Sequence, residues 1–287
     1  MKVAVIGPRG QLGSALCEAF RRRAVDCVEL DHGRVEVTDP QSVLVALRDA
    51  RPATVVNTAA FHKVDACEED PKRAFEVNAL GALHVARACR EAGARCVYVS
   101  TDYVFDGAKA EPYREDDLPN PVNVYGASKL AGEHLVVQTC PDALVVRVAS
   151  LFGGLGSRGK GTNFVLTVLE RARRGEALRV VDDVRMSPTY AEDAAAAIVE
   201  LVARGASGVF HVVNKGACSW YELAVRVLEL AGLRVPVHPV PQEAYPARAR
   251  RPRNSALSTA KLEARGLRLP PWEDAVQRYL AALSARA

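Results

Sequence analysis

Lys2-Val3-Ala4-Val5-Ile6, running directly into Gly7-Pro8-Arg9-Gly10-Gln11-Leu12-Gly13, is the stretch that decides the fold. Its first five residues read as a buried strand. After the glycines, Leu12, Leu16, Ala19 and Phe20 are apolar at helical spacing, so the chain passes from strand through a tight turn into a helix. Glycines at 7, 10 and 13 let backbone N–H groups approach a pyrophosphate, and the N-terminus of the following helix attracts its charge. The competing interpretation is a strand-turn-helix whose glycines serve packing alone.

The same alternation continues outward. Cys27-Val28-Glu29-Leu30-Asp31, Thr54 to Ala60, Arg95 to Ser100 and Ala143 to Val148 read as further strands, and Pro71 to Ala92 is an intervening helix. Repeated strand and helix patterns predict an α/β fold, a doubly wound parallel sheet of Rossmann type with a smaller C-terminal α/β substrate lobe. Residues 1–147 are assigned to the dinucleotide-binding domain. Residues 148–287 are assigned mainly to the substrate lobe, with a stretch around 178–216 returning to the first domain. The glycine-rich run from Gly153 to Gly161 reads as a mobile loop, and the proline-rich stretch from Pro236 to Pro252 marks where the second lobe folds back.

A chain of 287 residues, 49% hydrophobic, can bury one large domain and a smaller lobe. Its formal charge of +4 is spread among acids and does not support nucleic-acid binding. No run reaches membrane-spanning length, and the first apolar run is too short for a secretory signal, so a cytoplasmic address is expected. Seven scattered cysteines without CxxC spacing predict reduced thiols rather than zinc ligands or a disulfide framework.

Chemistry concentrates in Val99-Ser100-Thr101-Asp102-Tyr103-Val104-Phe105-Asp106-Gly107 and Tyr125-Gly126-Ala127-Ser128-Lys129. On a helix, Tyr125 and Lys129 share a face, and a strand ending at Thr101 presents its hydroxyl opposite them. Such a trio protonates a carbonyl oxygen while a nicotinamide delivers hydride. Tyr125 is the proton donor, Thr101 the group that steadies the carbonyl oxygen, and Lys129 the cation that holds the cofactor and, with the positive ring of the oxidised nicotinamide, favours the phenolate. Bringing a phenol from its usual pKa near 10 to about 7 requires roughly 4 kcal/mol, which a partly buried cation can supply. Taken alone, a tyrosine and a lysine four apart are an ordinary surface pair; the upstream Thr101 and the glycine turn change that balance.

Together with Asn57-Thr58-Ala59-Ala60, Val64-Asp65, Val77-Asn78-Ala79, Ser187-Pro188-Thr189-Tyr190, Ser219-Trp220-Tyr221 and Arg251-Pro252-Arg253-Asn254-Ser255-Ala256-Leu257, these segments make the whole chain resemble the dTDP-4-dehydrorhamnose reductase family of extended short-chain dehydrogenase/reductases. The resemblance implies reduction of the C4 ketone of dTDP-4-dehydro-β-L-rhamnose by NADPH or NADH. It implies cofactor contacts at Gly7, Gly10, Gln11, Leu12, Gly13, Asp31, Arg34, Glu36, Val37, Ala59, Ala60, Phe61, Tyr125 and Lys129. Substrate contacts are implied at Val64, Asp65, Thr101, Asp102, Phe152, Arg253 and Asn254. Asp31 suits a ribose 2′-hydroxyl, whereas His32 and Arg34 suit a 2′-phosphate, so dual use or a modest NADPH preference is expected.

Several departures bear on the substrate. Where family members carry a sugar-contacting tryptophan this chain has Ser150 followed by Leu151 and Phe152, and Phe152 or a loop residue is expected to substitute. Met186 precedes Ser187 where smaller residues are usual and is expected to repack the interface between the lobes. Ser14-Ala15 stands where some relatives place an acid that binds Mg²⁺ across a dimer, so Mg²⁺ dependence is not expected. Arg248, Arg250, Arg251 and Arg253 read either as a bidentate clasp for a diphosphate or, more readily, as a solvated face, with Arg253 and Asn254 the better site candidates. The expected partner is a small nucleotide-sugar; oligomeric state is left open, a homodimer included. The alternatives are a 4-ketoreductase of another nucleotide-deoxysugar and a regulatory binding protein resembling the methionine adenosyltransferase β subunit.

Overall fold

The structure is a computed structural model in which residues 1–154 and 162–285 are described; most of the expected loop from Gly153 to Gly161 lies outside them. The first lobe comprises β1 (Lys2–Ile6), α1 (Gln11–Arg22), β2 (Asp26–Leu30), α2 (Pro40–Ala50), β3 (Thr54–Asn57), α3 (Val64–Glu69), α4 (Pro71–Phe75) and α5 (Gly81–Ala92). It continues through β4 (Arg95–Thr101), α6 (Val124–Thr139) and β5 (Leu144–Val148). Between α4 and α5 the helix runs on through a π-helical turn, Glu76–Leu80, so Pro71 to Ala92 forms one rod with a local bulge.

β6 (Leu151–Phe152), α7 (Phe164–Arg173), β7 (Leu178–Val181), β8 (Arg185–Met186) and β9 (Thr189–Tyr190) lead into α8 (Ala191–Ala203) and β10 (Gly208–His211). The chain ends with β11 (Cys218–Ser219), α9 (Trp220–Ala231), β12 (Val237–Val240), α10 (Ala260–Ala264) and α11 (Trp272–Ser284).

The main sheet is parallel throughout, in the order β10-β5-β4-β3-β1-β2. Helices cover both faces, which is why its strands are apolar runs rather than alternating ones. Strand order reverses between β1 and β3, and ligands of such sheets bind beyond the carboxyl ends at that point. Leu30, Ile6, Asn57 and Tyr98 lie in register across β2, β1, β3 and β4. β4 runs three residues further, to Thr101, and so carries its last hydroxyl out over the crevice.

A separate core forms the second lobe, where α7, α9 and α11 pack with the short paired strands around Phe152, Val165, Leu223 and Val276. Leu178, Val180 and Met186 belong to that core, so Met186 fills the lobe's interior rather than its interface. The chain then returns: α8 packs on α1, and β10 extends the main sheet beside β5. The return begins at Ala191 and not near residue 178, because β7 spends its apolar side chains on the second core.

Candidate active site

Backbone proximity demands the glycines of the first turn. Gly7 has φ +81°, and a Cβ there would lie 2.7 Å from Thr58 Oγ1, whose hydroxyl donates to the Ile6 carbonyl at the switch point. A Cβ on Gly13 would drive into the Gly7 carbonyl, so α1 can start this close only with glycine. No acid stands in the first turn of α1, which leaves its N-terminus suited to a pyrophosphate. These features fit a dinucleotide.

α6 is set by its own cap and by a close approach. Asn123 Oδ1 accepts from Gly126 N at 2.8 Å, and Gly126 lies so close to the Tyr103 carbonyl that no side chain fits. The helix thereby stacks Tyr125 and Lys129 beside the end of β4. Asn78, presented by the π-helical turn, donates to Ser128 Oγ and Phe61 O and accepts from Phe61 N, which ties the loop after β3 to α6.

Thr101 Oγ1 donates to Asp102 Oδ1 at 3.0 Å and accepts from Tyr103 N. Lys129 is 1% exposed; its Nζ donates to Val99 O at 2.7 Å and sits 4.0 Å from the centroid of the Tyr98 ring. Burial pulls its ammonium down to about 7, with Glu133 one turn along opposing the change. Burial likewise pushes the Tyr125 phenol upward, and a hydrogen bond with Thr101 only partly counters it. Desolvation dominates here, and the Lys129 ammonium is directed at Val99 O and the Tyr98 ring.

One cavity of about 830 Å³ collects Gly10, Gln11, Leu12, Gly13, Ala60, Val64, Asp65, Thr101, Asp102, Tyr125, Lys129 and Phe152. Gly7 and Ala59 support the turn from behind it; Ala59 N donates to Asn57 Oδ1. Phe61 is fixed by Asn78 through its backbone. Asp31 directly follows β2 and pairs with Arg9 of the glycine turn, while Arg34 donates to Glu29 O. Glu36 accepts from Thr38, whose backbone N–H holds its carboxyl below the usual range, and Val37 is core beneath α2 and α5.

Two expected substrate residues are not brought to the cavity. Asn254 spends its amide on the carbonyls of Lys109, Ala110 and Glu111, and Arg253 points outward to Glu243. Their neighbour Arg251 lines the cavity instead, bonded to Asp65 Oδ2 at 2.7 Å. Asp65 also accepts from Ala249 N, and these bonds hold its carboxyl below the usual range.

The second lobe contributes residues that the sequence reading did not single out as ligands, although Trp220 stands in one of the family-like segments. Phe164 and Trp220, with ring centroids 4.8 Å apart, line the cavity, and Asn163 bonds Gln11 across it. Phe152 lies largely within an aromatic cluster with Tyr190 and Tyr279. Among the described residues no group of three or more histidines, cysteines or acids is arranged to hold a metal, and no helix is long and apolar enough to cross a membrane.

Known proteins resemble this chain in sequence and in fold. The family model described as the RmlD substrate binding domain matches residues 1–285. The spore coat polysaccharide biosynthesis protein SpsK of Bacillus subtilis is 39% identical over 97% of this chain and 96% of its own. A dTDP-4-dehydrorhamnose reductase of Sinorhizobium fredii is 37% identical over 99% and 98% of the two chains. The crystal structure of dTDP-4-dehydrorhamnose reductase from Bacillus anthracis in complex with NADP superposes with a TM-score of 0.93 at 36% identity, covering 98% of this chain and 99% of that one. With a matching model along nearly its entire length and relatives of this similarity, the chain belongs to the dTDP-4-dehydrorhamnose reductase family.

Proposed function

We infer that the protein uses NAD(P)H to reduce the C4 ketone of dTDP-4-dehydro-β-L-rhamnose, yielding dTDP-L-rhamnose for cell-surface polysaccharide. The observation that carries this is the meeting of Thr101, Tyr125 and Lys129 in one cavity with the glycine turn. Gly10 to Gly13 and the N-terminus of α1 would hold the pyrophosphate, and Lys129 the nicotinamide ribose. The reduced nicotinamide supplies a hydride equivalent when bound. Tyr125 gives its phenolic proton to the carbonyl oxygen, and Thr101 hydrogen-bonds that oxygen as negative charge develops. A raised phenol pKa keeps Tyr125 protonated and ready to donate.

For the sugar nucleotide we propose contacts at Val64, Asp65, Asp102 and Phe152, with Phe164 and Trp220 offering the flat surface that Ser150 does not. Arg251 is a better diphosphate ligand than Arg253, since it reaches the cavity. A modest preference for NADPH is proposed because Arg9 neutralises Asp31 and leaves Arg34 nearby. We further propose a cytoplasmic enzyme without Mg²⁺ dependence, and a homodimer that covers the exposed Phe75, Leu80 and Val137.

The test is consumption of nicotinamide absorbance with NADPH and dTDP-4-dehydrorhamnose. Tyr125→Phe is expected to lose about 10²- to 10⁴-fold in rate while still binding NADPH. If wild type and variant both bound NADPH and were equally inert, a regulatory binding protein would replace the enzyme.

A further inference from the structure

We propose that Asn123 is a positioning residue for the sugar nucleotide: one end of its side chain caps the helix that carries Tyr125, and the other holds Arg251 at the cavity wall. This rests on Arg251 being the diphosphate ligand inferred above, and adds what places it.

Arg251 lacks a regular element of its own. It sits on an irregular stretch, residues 245–259, between a 3-10 turn at Gln242–Ala244 and α10. A long cation on such a stretch meets its ligand in one geometry only if the backbone beneath it is pinned. Downstream the pins come from β8: Arg185 N donates to Arg253 O at 2.8 Å, and Ser255 N donates to Arg185 O at 2.9 Å. Upstream, Asp65 accepts from Ala249 N at 3.0 Å and from the Arg251 guanidinium at 2.7 Å. Asn123 adds a pin between these, its Nδ2 donating at 2.9 Å to Arg250 O, the carbonyl of the peptide that joins Arg250 to Arg251.

The residue type is informative. An N-cap needs only an acceptor, so serine or aspartate would serve α6 as well. Asparagine brings N–H donors besides. Its Oδ1 takes the Gly126 amide at 2.8 Å, and that cap leaves the amino group turned to Arg250 O. Asn123 is 7% exposed and stands outside the cavity lining, so its amide is spent on the protein.

α3, the start of α6 and the segment 249–251 are thereby tied pairwise. Glu68 of α3 accepts Val124 N at 2.8 Å, Asp65 holds the segment to α3, and Asn123 holds the segment to α6. A diphosphate competes with Asp65 for the Arg251 guanidinium. The Asn123 tie grips backbone instead, and that competition leaves it intact.

Asn123→Ser keeps the cap and gives up the reach to Arg250 O. Its affinity for dTDP, read by calorimetry, is expected to fall about three- to tenfold, with NADPH affinity changed less than about twofold. With dTDP-4-dehydrorhamnose, KM should rise by a similar factor while kcat moves less than about threefold. Arg251→Leu should weaken dTDP by about tenfold or more. Asn123→Ser added to Arg251→Leu should cost nothing further, since a positioning residue acts only through what it positions. Should Asn123→Ser fold poorly, Asn123→Asp, an equally good cap without the donor, takes its place with the same losses expected. The proposal is overturned by unchanged dTDP affinity in a folded Asn123 variant, by equal weakening of dTDP and NADPH, or by losses that multiply in the double variant. Unweakened dTDP binding by Arg251→Leu would remove Arg251 as the diphosphate ligand and this role of Asn123 with it. Wild type that binds dTDP and NADPH yet does not turn over would instead sink the reductase activity.

Discussion

Two neighbouring turns of α6 bury charge in opposite ways. At Glu133 both carboxylate oxygens meet the Arg147 guanidinium, at 2.9 and 2.7 Å, and that cation also lies 5.1 Å from the Phe105 ring. One turn earlier Lys129, equally buried, has one carbonyl and one ring face. Desolvation is similar at the two positions, so compensation is what differs. The matched pair faces packed interior, whereas the unmatched ammonium lines the cavity. An uncompensated buried cation persists where a ligand, rather than the fold, is to answer it.

The sharpest way to break this contrast is Lys129→Met. The ammonium's pKa in the folded protein is about 7 against an ordinary 10.5, so burial costs roughly 5 kcal/mol wherever the lysine must stay charged. Between those two values the unfolded chain binds the extra proton, so wild-type stability rises with pH through that window. Lys129→Met is therefore expected to raise the urea midpoint most below about pH 7, with the gain vanishing toward pH 10.5, while reductase activity is lost. Equal destabilisation at every pH would show that Lys129 is compensated after all.

Arg147→Met probes the matched side. Removing the guanidinium leaves Glu133 buried and alone, at a cost of about 3–5 kcal/mol. The double variant Arg147→Met, Glu133→Leu should recover most of that loss, as read from denaturant midpoints. If the double variant were no more stable than the single one, packing around Phe105 and not charge would hold this region.

How far this contrast was legible in the sequence follows from distance along the chain. The strand, glycine turn and helix at residues 2–22 depend on neighbours, and so does the Tyr125–Lys129 spacing; both read directly. Thr101 followed from a strand end. Arg251 and Arg253 could not be told apart, because which side faces the cavity depends on how the segment 249–257 lies against Gly107 and Asp65. Asn254 looked like a ligand and proves to be a clasp for three carbonyls. Phe164 and Trp220 reach the cavity only through the packing of the second lobe. The buried Oδ2 of Asp102, which finds no hydrogen-bond partner among the described residues, has no sequence signal at all, since it is defined by what fails to surround it.

The smallest expected effect separates the ring face from the hydroxyl at Tyr98. Its Oη donates to Asn78 O at 2.8 Å, and its ring supports the Lys129 ammonium. Tyr98→Phe removes the hydroxyl and keeps the ring, so stability should drop by only about 1 kcal/mol and the pH profile of kcat/KM should stay in place. Tyr98→Leu also removes the ring, which leaves the charged form of Lys129 with less support. Its pKa then falls further below 7, and the loss of activity on the alkaline side moves to lower pH. If Phe and Leu shifted the profile equally, the hydroxyl's grip on the π-helical turn, and not the aromatic face, would govern the charge of Lys129.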